Sequence, residues 1–327
     1  MTTIFRALTA ALLLALLPLG AAAEDGHELW LRYPLLAEPA RTHLQGRARV
    51  IVTQASSPSV LAAVAELQRG VKGMAGRVPD VSTRVAPGAL VLLTPSQAPA
   101  GLDVPWRELG REGWLLRSTR LQGRDVTVIA ANSDIGLLYG SFAWLRTAQT
   151  GADLSKVDQR STPKVGLRLL NHWDNLDRHV ERGYSGASLW DWWKLPDILD
   201  PRYVDYARAN ASIGINGTVL NNVNAKSDSL TAPFLAKAAA LADVFRPYGV
   251  KVYLSARFSA PRDLGGLRTS DPLDPAVRAW WKAKVDEIYK SIPDFGGFLV
   301  KANSEGQPGP QDYGRNHADG ANMMAEA

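Results

Sequence analysis

The sequence predicts an α/β chain: a small N-terminal α/β domain, then a (β/α)8 TIM barrel of which about the first half is present. Three observations predict it. Short β-branched or apolar runs alternate with stretches of helical periodicity along nearly the whole length. From Val165 onward each apolar run turns abruptly polar or aromatic at its C-terminal end, the asymmetry of a barrel whose site is assembled from its C-terminal strand ends. The 327 residues also exceed the size at which a single core stops growing, roughly 250–300 residues. A doubly wound sheet alternates in the same way, but it usually carries a glycine fingerprint after its first strand, and none is found here.

Residues 1–23 read as a signal peptide. Arg6 supplies the positive start, Ala7–Leu19 the apolar stretch and Ala21-Ala22-Ala23 the small-residue cleavage pattern. That stretch is too short to cross roughly 30 Å of hydrocarbon. The expectation is cleavage near Ala23/Glu24 and a periplasmic or secreted product with no membrane contact afterwards.

Residues 24–149 form the expected first domain. Arg47–Thr53 reads as a strand, and Ser57-Pro58 opens a helix with serine as cap and proline in the first turn. Strands follow at Ala89–Leu93, Gly113–Arg117 and Asp125–Ala130, and Ser133-Asp134 caps a second helix. The polar stretch 150–164, closed by Pro163, reads as a linker. Over residues 165–327, strands at Val165–Leu170, Ile213–Leu220, Val250–Ser255 and Gly297–Val300 alternate with helices at Pro201–Ser212, Thr231–Arg246 and Asp274–Lys290. Four such units fall short of the about 250 residues of a complete barrel. Met323-Met324-Ala325-Glu326-Ala327 reads as the opening of another helix, so the chain is expected to be part of a longer one.

Composition narrows the chemistry. With no cysteine, disulfides, thiolate metal sites and cysteine nucleophiles drop out. The net charge of +5 comes from scattered residues without a run of five Lys or Arg, which is no nucleic-acid footprint. His172, His179 and His317 lack ligand spacing, so no metal and no cofactor is expected.

Glu305 is the strongest candidate for catalysis. It follows a strand end and precedes the stiff loop Gly306-Gln307-Pro308-Gly309-Pro310. General acid cleavage of a glycosidic bond needs a carboxyl group kept protonated beside the leaving oxygen. Lys301, four residues earlier, opposes that unless an anionic substrate group occupies it; the bland alternative is a surface or helix-capping carboxylate. Trp173, amid Asn171, Asp174 and Asn175, can stack on a sugar face. Trp190-Asp191-Trp192-Trp193 reads as a loop in which sugar contact and core packing are both open, while Trp280-Trp281 falls inside a helix as packing.

Four segments together resemble the α-glucuronidases of glycoside hydrolase family 67. They are Asn171-His172-Trp173-Asp174-Asn175-Leu176-Asp177 with Glu181-Arg182-Gly183-Tyr184; residues 206–217; Asn221-Asn222-Val223-Asn224-Ala225; and residues 301–310. The resemblance implies an inverting enzyme that releases (4-O-methyl)-glucuronic acid from the non-reducing-end xylose of glucuronoxylo-oligosaccharides during xylan breakdown. It makes Glu305 the general acid. It places Lys301 and Val223 where the uronic acid is held and Trp173 in the sugar pocket, with Asn221, Asn222 and Asn303 as further substrate-binding candidates. The general-base carboxylates and further uronate-gripping residues fall on later strands, beyond Ala327. The family also has a helical C-terminal domain, through which a homodimer is possible. Where the family usually has glycine after Asp177, this chain has Arg178-His179. Rival readings are a hexosaminidase-like glycosidase, which would need an Asp-Glu pair where this chain has Ser304-Glu305, and a non-catalytic periplasmic carbohydrate-binding protein.

Overall fold

The computed structural model describes residues 26–327; the expected signal peptide and its cleavage near Ala23/Glu24 lie outside the described residues. Two sheets organise them. The first contains β1 (Val50–Val52), β2 (Asp80–Ser82), β3 (Ala89–Leu93), β4 (Trp114–Leu121), β5 (Arg124–Ala131) and β6 (Asp158–Ser161), in the order β2-β1-β3-β5-β4-β6. Strands β1, β2, β3 and β5 run parallel, and β4 is antiparallel to both β5 and β6. Strand β6 lies inside the 150–164 stretch read as a linker: Asp158–Ser161 closes the sheet's edge along Trp114–Arg117.

Four helices accompany this sheet: α1 (Ala40–Arg47), α2 (Pro58–Ala75), α3 (Trp106–Leu109) and α4 (Asp134–Gln149). The two long ones start where the sequence expects. Ser57 Oγ accepts the Val60 amide with Pro58 in the first turn, and Ser133 Oγ accepts the Gly136 amide. Strand side chains alternate between faces. Ile51, Leu90, Leu92 and Ile129 share a core with α2 and α4, whereas Val50, Val52, Val91 and Val128 pack under the segment carrying Val104 and Leu109.

The second sheet is fully parallel and sequential: β7 (Leu169–Asn171), β8 (Gly217–Val219), β9 (Lys251–Arg257) and β10 (Gly297–Lys301), in that order. Helices α5 (Arg202–Ser212), α6 (Ala232–Phe245), α7 (Ala260–Asp263) and α8 (Pro275–Ser291) fall between successive strands, and α9 (His317–Glu326) follows β10. A sequence of neighbours that never reverses is a barrel wall; a doubly wound sheet reverses at its switch point. Val252, Leu254 and Ala256 of β9 pack on the helix side with Phe245 and Trp281. Tyr253, Ser255 and Arg257 therefore face the opposite, inner side, in register with Gly297, Leu299 and Lys301. Gly217 belongs there because a Cβ would sit 2.3 Å from a Leu169 methyl and 2.7 Å from the Tyr253 ring.

One local reading changes, one left open is resolved and one holds. The strand expected at Val165–Leu170 is confined to Leu169–Asn171, because Arg168 turns aside to bond the carbonyls of Val165 and Gly214 and the carboxylate of Glu112. Trp190 and Trp192 are core residues, and Trp193 alone of that group is exposed, under the guanidinium of Arg178 4.3 Å from its ring centre. Trp281 is buried and meets Trp280 edge to face at 5.0 Å, as packing residues should.

The two sheets are joined through α5. Its Ala209 and Ala211 enter the core of α2 and α4. Beside them Arg208 makes a bidentate pair with Glu66 of α2 (2.8 and 2.9 Å), and Tyr33 donates to the same carboxylate at 2.8 Å. Both charged side chains are almost wholly buried.

Candidate functional site

The C-terminal ends of β7, β8 and β10 meet around Glu305. Strand β10 ends at Lys301, whose side chain is only 6% exposed. Ser304 to Gln307 then forms a tight turn: the Gln307 amide donates to the Ser304 carbonyl at 2.9 Å, with positive φ at both Glu305 (52°) and Gly306 (73°). That is the backbone of a type I′ turn, a conformation that a non-glycine residue keeps only where its surroundings impose it. Downstream, Asp312 accepts from Asn303 Nδ2 (3.0 Å) and from the Gly309 amide (2.8 Å), tying the loop back on itself. A Cβ at Gly309 would fall 1.9 Å from Asn303 Oδ1, so glycine is needed for this closure.

The turn aims the Glu305 carboxylate at two cations. Lys301 Nζ donates to Oε2 at 3.2 Å, and Arg182 donates to Oε1 at 2.6 Å. Lys301 also donates to Asn224 Oδ1 beyond β8, and the Asn224 carbonyl accepts from Arg257 at 2.6 Å. Hydrogen bonding and charge from Lys301, with a smaller share from Arg182, hold the Glu305 carboxyl below the usual glutamate range. The group is 46% exposed, so water screens both pairs. As it stands, the arrangement stabilises carboxylate rather than acid.

Arg182 comes from the loop after β7. The amide of the adjacent Glu181 donates to the Trp173 carbonyl at 2.8 Å, which puts the base of Trp173 beside this cluster. The indole is 41% exposed, available for a sugar face. Glu181 itself is nearly buried between Arg182 (3.4 Å) and Asn222 Nδ2 (3.5 Å). Beneath, Asp174 accepts from the Leu189 amide and His172 Nδ1 lies 3.1 Å from it, while His172 Nε2 meets the Tyr206 hydroxyl at 2.8 Å. This histidine braces the end of β7. Among the described residues no group of histidines and carboxylates could hold a metal ion.

The residues singled out from sequence thus separate. Glu305 and Lys301 come together as an ion pair, with Trp173 on the neighbouring loop. Val223 is half-buried next to Asn224. Asn221 and Asn222 are buried. Asn221 spends its amide on Ser255, donating to its carbonyl (3.1 Å) and accepting from its amide (2.8 Å), which fastens β8 to β9. Asn222 and Asn303 likewise brace loops. Arg182, Glu181 and Asn224 lie in segments that carry the resemblance but have no role assigned from sequence; Arg182 lies 123 residues from Glu305, and only the folded chain joins them. An open hollow of about 370 Å³, lined by Arg262, residues 303–308 and Asp312, adjoins Glu305. A larger cavity of about 670 Å³ lies on the first sheet, away from these residues.

Comparison with known proteins bears on the family and the fold. The family model described as glycosyl hydrolase family 67 N-terminus matches residues 29–144, and that of the family 67 middle domain matches residues 147–327. Alpha-glucuronidase A of Emericella nidulans is 40% identical over 97% of this chain, and the alpha-glucuronidase of Hypocrea jecorina is 40% identical over 99%. The chain spans 38% and 39% of those relatives' lengths. Among solved structures, a family 115 4-O-methyl-alpha-glucuronidase with specificity for decorated arabinogalactans matches in fold, with TM-score 0.57, 14% identity and coverage of 86% of this chain and 39% of that one. A parallel half-wall of barrel, a mixed sheet docked on it through α5, and both family models end to end place the chain in glycoside hydrolase family 67.

Proposed function

We propose that this chain carries the proton donor and part of the uronate pocket of an inverting α-glucuronidase that releases (4-O-methyl)-glucuronic acid from glucuronoxylo-oligosaccharides. The observation that carries the reading is the pairing of Glu305 with the buried Lys301 at the end of β10. A buried ammonium needs a counter-ion, and a uronate carboxylate supplies one. Glu305 then stands beside the glycosidic oxygen, delivers its proton as that bond breaks, and leaves as carboxylate. Trp173 offers the flat face on which the sugar ring rests. The α-glucuronidase names of the 40% identical relatives support the substrate class.

In single-displacement chemistry the water-activating carboxylate stands about 6.5–9.5 Å from the acid; the family resemblance assigns it to later strands. Export to the periplasm or beyond suits a polysaccharide fragment as substrate and belongs to the same proposal, as does a homodimer formed through a helical C-terminal domain. The stereochemistry tests the reading. Proton NMR during hydrolysis by the protein with its complete barrel is expected to show the β-anomer of glucuronic acid first. Initial release of the α-anomer would contradict it.

A further inference from the structure

The Glu305 pairings pose a chemical problem: a general acid must hold a proton, and two cations favour its loss. Lys301 is buried and fixed by Asn224, whereas the Arg182 side chain is 66% exposed on the loop after β7 and reaches Glu305 with one end of its guanidinium. Its anchor is firm. Glu181 is nearly buried, held to Trp173 through the backbone and to Asn222 through its carboxylate. The loop thus delivers a long, water-exposed cation to Oε1 of the acid, while Lys301 holds Oε2.

We propose that Arg182 is a positioning residue which, with Lys301, clamps Glu305 as carboxylate in the empty site, and that a ligand carboxylate arms the acid by drawing these cations to itself. This rests on the uronate reading given above. With the ligand absent, two carboxylates share these cations: Glu305 touches both Lys301 and Arg182, and the nearly buried Glu181 touches Arg182 alone at 3.4 Å. A uronate brings a third negative charge to the same two cations, and the exposed Glu305, as it loses contact with them, takes a proton from the solvent. A neutral hexose of the same shape leaves the clamp closed and Glu305 ionised. Discrimination for uronic acids over neutral sugars then arises in the protonation step as well as in binding.

The test uses the protein with its complete barrel, labelled with ¹³C at the glutamate side-chain carboxyls, with the Glu305 signal identified by its loss in Glu305→Gln. Without ligand, Arg182→Gln should raise the Glu305 titration midpoint by about one pH unit, and Arg182→Lys should return it most of the way. Saturating glucuronate should raise the wild-type midpoint by a similar amount; methyl α-glucoside should not move it. A midpoint unchanged by Arg182→Gln overturns the proposal, as does glucuronate that shifts the Lys301 amide while the Glu305 midpoint stays in place. Glucuronate that perturbs no signal at all overturns the uronate reading and the proposal together, so the two failures are distinguishable.

Discussion

At the scale of single residues, the site is built from a buried cation and an exposed carboxylate held by a strained turn. Lys301 has lost nearly all contact with water and is left with Asn224 and Glu305 as partners. Charge-assisted hydrogen bonds are worth about 1.5–3 kcal/mol. Lys301→Met is therefore expected to weaken glucuronate binding by roughly 10- to 100-fold, measured by calorimetry on the protein with its complete barrel; unchanged affinity would remove Lys301 from the proposed uronate pocket. Position after an apolar run made Glu305 a candidate, but its role as acid and that of Lys301 beside the uronate rest on the family resemblance. The pairing of Arg182 with Glu305 was not legible: Arg182 lies in a segment that carries the resemblance, yet nothing local marks an arginine that meets its partner 123 residues later. The amides of Asn221 and Asn222 mislead for a related reason. A strand-end asparagine reads the same whether it faces a ligand or fastens the next strand, and Asn221 fastens Ser255.

At the scale of elements, three of the helix starts read from the sequence carry local caps, whereas those at Pro201 and Thr231 are kept without a side-chain cap. Ser57 and Ser133 accept amides of the first turn, and Asp274 accepts those of Ala276 and Val277 ahead of α8. Ser57→Ala should cost about 1 kcal/mol of stability, read as a lower denaturant midpoint at unchanged slope. The tie between α2 and α5 was not legible, because Glu66 and Arg208 are separated by 142 residues and each sits on an ordinary helix. Breaking a buried pair leaves an uncompensated charge and costs about 3–5 kcal/mol. Arg208→Met is expected to fall in that range, and the joint replacement Glu66→Met/Arg208→Met to cost less than the single change. A double variant as unstable as the sum of its parts would show that the two residues do not act as a pair. The tryptophans near Trp190 belong to this scale too. Packing against Tyr203, Phe245 and Phe234 decides that Trp190 and Trp192 are core while Trp193 is not.

For the molecule as a whole, the alternation of strands and helices was readable from periodicity, and the barrel from the polar strand ends and the missing glycine fingerprint; the unreversed order of β7 to β10 came from the structure. The short β2 and the edge strand β6 were not readable, because three or four residues, mostly or wholly polar, carry no strand signature until a neighbour pairs with them. Acid stability follows from carboxylates held below their usual range: Asp271 by the hydrogen bonds of Arg315, and Glu305 by Lys301. Groups whose folded values are depressed contribute stability above the unfolded value and lose it as pH falls through the folded one. The melting temperature should stay level from neutrality to about pH 5 and drop below roughly pH 4, with part of the drop absent in Asp271→Asn; a rise on acidification would contradict those pairings. The proposed inverting chemistry needs a second, water-activating carboxylate, which the family resemblance assigns to later strands. The most direct measurement is the rate of Glu305→Gln in the protein with its complete barrel, compared between substrates with good and poor leaving groups. The expected result is a loss of about 10²–10⁴-fold or more for xylosyl leaving groups, a much smaller loss for an activated aryl leaving group, and retained binding. An equal loss for both, or binding abolished with the chemistry intact, would show that Glu305 is not the proton donor.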